Sequence, residues 1–202
     1  MNLANKLTVI RMILVPIFII VGYLGTFGII TGSWLGIPLS LLIMNTIFII
    51  ASITDKLDGY IARSRNQVTT FGKFLDPLAD KILVLSALVM LVEYGKIPGW
   101  IPVIVLAREF IVSGYRMLAA EKGGQVIAAS IWGKLKTVTQ MLAIIVIFFD
   151  KFNFLAFLST PMNVAEYVFN VTGSILLLAS VVATIFSGYD YLKNGKDLFK
   201  DA

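Results

Sequence analysis

Long apolar runs separated by short polar connections dominate the chain. Residues 12–30, 37–54 and 167–189 carry no charge at all, and each is near the ~20 residues that a helix needs to cross the hydrocarbon of a bilayer. Three further runs, about 72–94, 97–120 and 128–149, are as long but interrupted: by Asp76, Asp80 and Lys81, by Arg108, Glu109 and Arg116, and by Lys134 and Lys136. Such charges must turn toward a protein interior or a wet cavity. The pattern predicts an all-α integral membrane protein, a bundle of six transmembrane helices around a polar cavity facing the cytoplasm. Lys6 and Arg11 ahead of the first run give it the look of a secretory signal. The run continues without charge to Ile30 and no small-x-small cleavage site follows, so the expectation is an uncleaved first helix.

Breaker residues agree with six helices. Gly32, Gly36 and Pro38 mark the first connection, Gly95, Pro98 and Gly99 the third, Gly123 and Gly124 the fourth, and the 150–163 stretch with Pro161 the fifth. Gly28, Gly32 and Gly36 also have the small-xxx-small spacing of packed membrane helices, but they straddle a turn and read better as turn glycines. Of the 17 Lys and Arg residues, all but Lys96 and Lys151 fall at the N-terminus, at the second and fourth connections with their flanking helix ends, or in the C-terminal tail. That asymmetry puts both termini and the charged helix ends on the cytoplasmic side of the plasma membrane. Trp34, Trp100 and Trp132 lie near helix ends, as interfacial aromatic anchors do. Lys193, Lys196 and Lys200 suit contact with anionic lipid headgroups.

Composition narrows the chemistry. The chain has 202 residues, 58% of them hydrophobic, against about 45–50% in soluble domains. This length supports a single membrane domain, 1–202, and nothing points to a nucleic-acid partner. There is no Cys and no His. Thiolate chemistry, a disulfide, a structural zinc site and the usual general base are all absent. Acid–base work falls to Asp, Glu, Lys or Tyr.

Four aspartates then become the most informative residues. Asp55 and Asp58 are spaced i, i+3 at the end of the second run, and Asp76 and Asp80 i, i+4 at the start of the third, so each pair shares a helix face. A carboxylate at bilayer depth costs roughly 2.5–3.5 kcal/mol. Four of them converging would repel one another unless cations intervene, and an all-oxygen donor set suits Mg²⁺, Mn²⁺ or Ca²⁺ rather than zinc. Gly59 leaves the backbone open to a ligand, Arg63 offers a planar fork suited to phosphate, and Gly72 leaves space near the metals.

Written out, Asp55-x-x-Asp58-Gly59-x-x-Ala62-Arg63, eight residues, then Gly72-x-x-x-Asp76-x-x-x-Asp80 resembles the signature of the CDP-alcohol phosphotransferase family, with all eight positions and the spacing intact. Asn5-Lys6-Leu7-Thr8 with Arg11, Ala107-Arg108-Glu109 and Gly133-Lys134-x-Lys136-Thr137 are similar to blocks in its bacterial members that use glycerol 3-phosphate. The resemblance implies six transmembrane helices, a homodimer, two divalent cations (Mg²⁺ or Mn²⁺), and transfer of a phosphatidyl group from CDP-diacylglycerol to an alcohol with release of CMP. It also implies roles: Asp55, Asp58 and Asp76 as metal ligands, Asp80 as ligand and general base, and Asp55, Gly59, Ala62, Arg63, Thr69 and Gly72 around the nucleotide.

The acceptor is addressed by the remaining charges. Arg108, Arg116 and Lys134 sit on runs that otherwise read as membrane spans, which suggests an anionic group such as the phosphate of glycerol 3-phosphate. The plainer reading is internal ion pairing, Arg108 with Asp80 or Arg116 with Glu121. Lys134 and Lys136 are about 200° apart on a helix, so one pocket cannot take both. Lys134, sharing a face with Thr137, is preferred, and Lys136 is left to reach lipid headgroups. Inositol phosphate, serine or phosphatidylglycerol as acceptor stays open. So does a cation transporter, although that would place carboxylates at mid-bilayer in repeated halves.

Overall fold

The computed structural model describes residues 3–64, 70–121 and 130–194; within these, the side chains of 3–7, 55–64, 70–77, 80, 119–121 and 194 lie outside the description. The described chain is all-α, with six long helices in the order expected. These are α1 (Leu3–Thr26), α2 (Leu39–Ser64), α3 (Thr70–Glu93), α4 (Trp100–Glu121), α5 (Ile131–Phe148) and α6 (Val164–Asn194). Among the described residues, three segments are both long and apolar enough to cross a membrane: Thr8–Thr26, Ile131–Phe148 and Val164–Lys193. The α5 segment qualifies despite Lys134 and Lys136. Leu39–Thr54 of α2 is a shorter apolar stretch.

Helix ends follow from local bonding. At the end of α1, Ile29 N donates to Leu24 O (2.9 Å) and Gly28 N to Gly25 O (3.1 Å), with Gly28 at φ 70°. This paired pattern caps the last carbonyls and needs a residue that tolerates the left-handed region. Lys96 N to Leu91 O and Gly95 N to Val92 O, both 2.8 Å, close α3 in the same way. After α1 the chain makes a small antiparallel hairpin, β1 (Ser33–Trp34) and β2 (Ile37–Pro38), with Trp34 opposite Ile37. Leu35 and Gly36 at its tip have φ of 53° and 79°, the geometry of a two-residue hairpin turn. Gly28, Gly32 and Gly36 all have positive φ, so they are turn glycines. The two-residue strands had no periodic signal in the sequence. At the start of α6, Asn163 and Glu166 cap each other's backbone: Glu166 N donates to Asn163 Oδ1 (2.9 Å) and Asn163 N to Glu166 Oε2 (3.1 Å).

Two compact units emerge from the packing. The first comprises Met1–Lys96 with Ile147–Asn153. Here α1 packs on α2 and α3 around Phe18, Leu41, Met44, Phe48, Leu83, Leu88 and Leu91, all fully buried. The Phe18 and Phe148 rings meet edge to face at 6.0 Å. Tyr94, just past α3, clasps the three helices: its hydroxyl donates to Gly22 O at 2.8 Å and lies 2.9 Å from Ser40 Oγ. Close approach at this point requires Gly25, where a methyl would strike the Tyr94 hydroxyl and Ser40. Lys96, one of the two basic residues in the first, third and fifth connections, is 5% exposed. It donates to the carbonyls of Asp150 (2.8 Å) and Phe152 (3.3 Å). Burial pushes its ammonium below the ordinary lysine range, and the Asp150 charge pulls it partly back.

The second unit comprises Ile97–Val146 with Phe154–Ala202, and α4 packs on α6 within it. The buried face of α6 recurs every three to four residues through Asn170, Ser174, Leu177, Ser180, Val181, Thr184, Ser187 and Tyr191. It is rich in small side chains, which let helices approach closely without a large apolar core. Ile175, Leu178, Val182, Ile185 and Tyr189 stand exposed on the rest of α6.

Gly25→Ala is expected to destabilise the protein by about 1–3 kcal/mol through overpacking. Gly114→Ala, where no described atom lies within 4 Å of the added methyl, should be neutral or mildly stabilising. Thermal unfolding of both variants in detergent checks this, and equal melting temperatures would exclude the clasp.

Candidate active site

The signature falls on two helices of the first unit. Asp55 and Asp58 lie one turn apart near the end of α2, and Asp76 and Asp80 one turn apart in the opening turns of α3. Gly59, Ala62 and Arg63 continue α2, and Gly72 lies in the first turn of α3. All eight are thus on helical backbone of packed elements, while their side chains lie outside the described residues, as does Thr69 entirely. Among the described side chains no group of three or more carboxylates, Cys or His could hold a metal. The donor set that the two helix ends supply is four carboxylates with no nitrogen or sulfur, which fits hard divalent cations and not zinc. On α1, Thr8 and Arg11 of the first similar block are 2% and 0% exposed, and neither stands without a partner.

In the second unit the charges form a bonded cluster. Glu109 Oε1 accepts from Arg108 Nη1 at 2.9 Å and from Lys136 Nζ at 2.8 Å. Arg108 Nη2 donates to Ser187 Oγ at 2.6 Å, and Arg116 Nη2 to the Tyr191 hydroxyl at 2.9 Å. Both guanidinium carbons lie close to the Tyr191 ring, 5.9 Å from its centroid for Arg108 and 5.8 Å for Arg116. The Arg108 side chain passes beside two glycines. A β-carbon at Gly133 would come within 3.4 Å of Nη2, and one at Gly188 within 3.6 Å of Cγ. Arg108 Nε is buried without a hydrogen-bond partner. Glu109 thus pairs with two cations, Arg108 and Lys136, while Arg116 stands exposed against Tyr191.

The two lysines of α5 separate as their spacing requires. Lys134 is exposed, whereas Lys136 is 7% exposed and paired with Glu109. The buried lysine is therefore not the one preferred from sequence. Its neutralising partner lies 27 positions away, where no local pattern could point to it. The internal pairing considered for Arg108 exists, but with Glu109; the side chains of Asp80 and Glu121 are outside the described residues. Tyr191 and Ser187 went unnoticed in the sequence. The one available signal was their i, i+4 spacing on a run of small polar residues. Trp132 stacks on Phe186 at 4.9 Å while remaining 38% exposed, as an anchoring ring would be.

Comparison with known proteins identifies the family. A family model described as CDP-alcohol phosphatidyltransferase matches residues 1–186. A Bacillus subtilis protein named CDP-diacylglycerol–glycerol-3-phosphate 3-phosphatidyltransferase is 38% identical over 98% of this chain and 97% of its own length. Proteins of the same name from Haemophilus influenzae (38% identical, over 99% of this chain and 96% of its own) and Rickettsia bellii (36%, over 98% and 97%) are also similar end to end.

Removing Glu109 should strand two cations whose side chains are 13% and 9% exposed. Glu109→Ala is expected to destabilise by about 3 kcal/mol, since breaking a buried pair leaves charge uncompensated. Lys136→Met, which removes one of those charges, should be milder. Melting temperatures of the two variants decide the order, and Lys136→Met being the worse would show that the carboxylate is not the element that holds the cluster.

Proposed function

Because the chain belongs to the CDP-alcohol phosphatidyltransferase family, we propose that it transfers the phosphatidyl group of CDP-diacylglycerol to glycerol 3-phosphate, giving phosphatidylglycerophosphate and CMP. One observation carries this reading: a complete aspartate signature in a chain similar, end to end, to relatives bearing that enzyme name. The cation cluster supports the acceptor half. Arg108 and Arg116, both oriented by hydroxyls of α6, suit a phosphomonoester dianion and give no preference to serine or plain glycerol.

The roles divide between the aspartate signature and the cation cluster. Asp55, Asp58, Asp76 and Asp80 would hold two divalent cations, Mg²⁺ or Mn²⁺. When bound, these supply neutralisation of the diphosphate and of the departing CMP phosphate. Asp55, Gly59, Ala62, Arg63, Thr69 and Gly72 would line the nucleotide site, with Arg63 forked toward phosphate. Asp80 accepts the proton of the acceptor hydroxyl. The acceptor oxygen forms its bond to the phosphorus bearing diacylglycerol as the bond to CMP breaks. With no His or Cys in the chain, a carboxylate is the fitting base. Arg108 and Arg116, with Lys134 beyond them on α5, bind the acceptor phosphate, while Lys136 balances Glu109. The chain works as one domain, 1–202, with six spanning helices in a bacterial plasma membrane, both termini and the polar active site on the cytoplasmic side, and it functions as a homodimer. The lone basic pair on the other face agrees with that orientation, since Lys96 is committed to backbone carbonyls.

Purified protein with CDP-diacylglycerol and Mg²⁺ or Mn²⁺ should release CMP when given glycerol 3-phosphate. Glycerol, serine, inositol phosphate and phosphatidylglycerol should give far less. Excess EDTA should abolish release and either cation restore it. Full release in EDTA would reject the metal reading, and equal use of glycerol would reject a phosphate pocket.

Arg116→Gln is expected to raise the KM for glycerol 3-phosphate about tenfold, the scale of one charge-assisted hydrogen bond. The KM for CDP-diacylglycerol should change little. Equal losses for both substrates would move Arg116 to the diphosphate.

A further inference from the structure

The two arginines of the cluster are held in different ways, and the difference has chemical content. Arg108 and Lys136 share a carboxylate, so part of their charge is cancelled where they stand. Arg116 is held only by a hydroxyl: among its described contacts, Nη2 meets the Tyr191 oxygen at 2.9 Å and the guanidinium carbon lies 5.8 Å from the same ring. A neutral donor–acceptor such as Tyr orients a guanidinium without neutralising it. Most of the five N–H donors stay available for an anion. Tyr191 itself is 2% exposed, fixed on the packed face of α6, whereas Arg116 is exposed. A long exposed arginine loses considerable rotamer freedom when it binds a ligand, and a preset orientation reduces that loss. The same ring lies 5.9 Å from Arg108. One rigid aromatic thus meets two guanidiniums that stand eight residues, or about 12 Å of helix, apart on α4. One turn before it on α6, Ser187 gives Arg108 a second neutral partner at 2.6 Å.

We infer that Tyr191 is a positioning residue for the acceptor: it presets Arg116 without neutralising it, and with Ser187 keeps both arginines aimed for an anionic phosphomonoester. The inference rests on the acceptor reading above. It adds that α6, which supplies none of the cations, sets acceptor affinity through uncharged hydroxyls.

The test is a cycle of Tyr191→Phe, Arg116→Gln and the double variant, with KM for glycerol 3-phosphate, KM for CDP-diacylglycerol, kcat and melting temperature measured for each. Tyr191→Phe keeps the ring and removes one hydroxyl. It is expected to raise the acceptor KM about threefold to tenfold, the scale of one hydrogen bond, with kcat and the CDP-diacylglycerol KM nearly unchanged. In the Arg116→Gln background it should add nothing further, because its effect passes through that arginine. If Arg116→Gln raises the acceptor KM but Tyr191→Phe does not, or the two effects multiply, the positioning role is wrong and the acceptor reading stands. If Tyr191→Phe lowers the melting temperature and impairs both substrates alike, Tyr191 is a packing residue and the inference fails. If Arg116→Gln leaves the acceptor KM unmoved, the acceptor reading fails and the inference falls with it. Tyr191→Leu, which also removes the ring from Arg108, should raise the acceptor KM beyond Tyr191→Phe.

Discussion

A single carboxylate oxygen, Oε1 of Glu109, receives both Arg108 and Lys136, and the second unit is organised around that fact. Charges on helices this apolar are tolerated only when each has a partner or a purpose. Glu109 makes burial of Lys136 possible and fixes one edge of Arg108, and Nη2 of Arg108 turns toward α6. Arg116 differs: among its described contacts it is held by the Tyr191 hydroxyl and ring and not by a carboxylate. Hydroxyl partners orient a guanidinium without neutralising it.

Small residues make this arrangement possible. Gly133 and Gly188 lie beside the Arg108 side chain, and the Ser and Thr stripe of α6 brings its backbone close enough for Ser187 and Tyr191 to reach the arginines of α4. Bulky apolar residues at those positions would bury more area but would hold the helices too far apart for such bonds. The first unit uses the same economy at Gly25, where α1 lies against Ser40 and the Tyr94 hydroxyl. In both units close packing comes first and specific polar contacts follow from it.

Away from the charged helix ends, polar groups are used to terminate structure. The closing turns at Gly28 and Gly95 satisfy helix carbonyls internally. Lys96 caps two carbonyls of the 147–153 segment, and Asp150 in turn accepts from Phe152 N at 2.9 Å. Unpaired carbonyls near a bilayer are expensive, so this basic residue carries a structural duty.

Much of this was legible in the sequence, for a simple reason. Apolar run length, breaker residues and charge asymmetry are one-dimensional quantities, and a membrane converts them almost directly into helix number and order; all six helices stand where the runs and turns put them. The aspartate signature is local as well, since i, i+3 and i, i+4 spacing defines a helix face without any tertiary information. The partners of the cations were not legible. Glu109 and Lys136 are 27 residues apart, Arg116 and Tyr191 75, and Arg108 and Ser187 79, and nothing in local periodicity links positions on different helices. Which of Lys134 and Lys136 is buried depends on the rotation of α5 about its own axis. That rotation is set by what packs against the helix, and only the tertiary structure decides it.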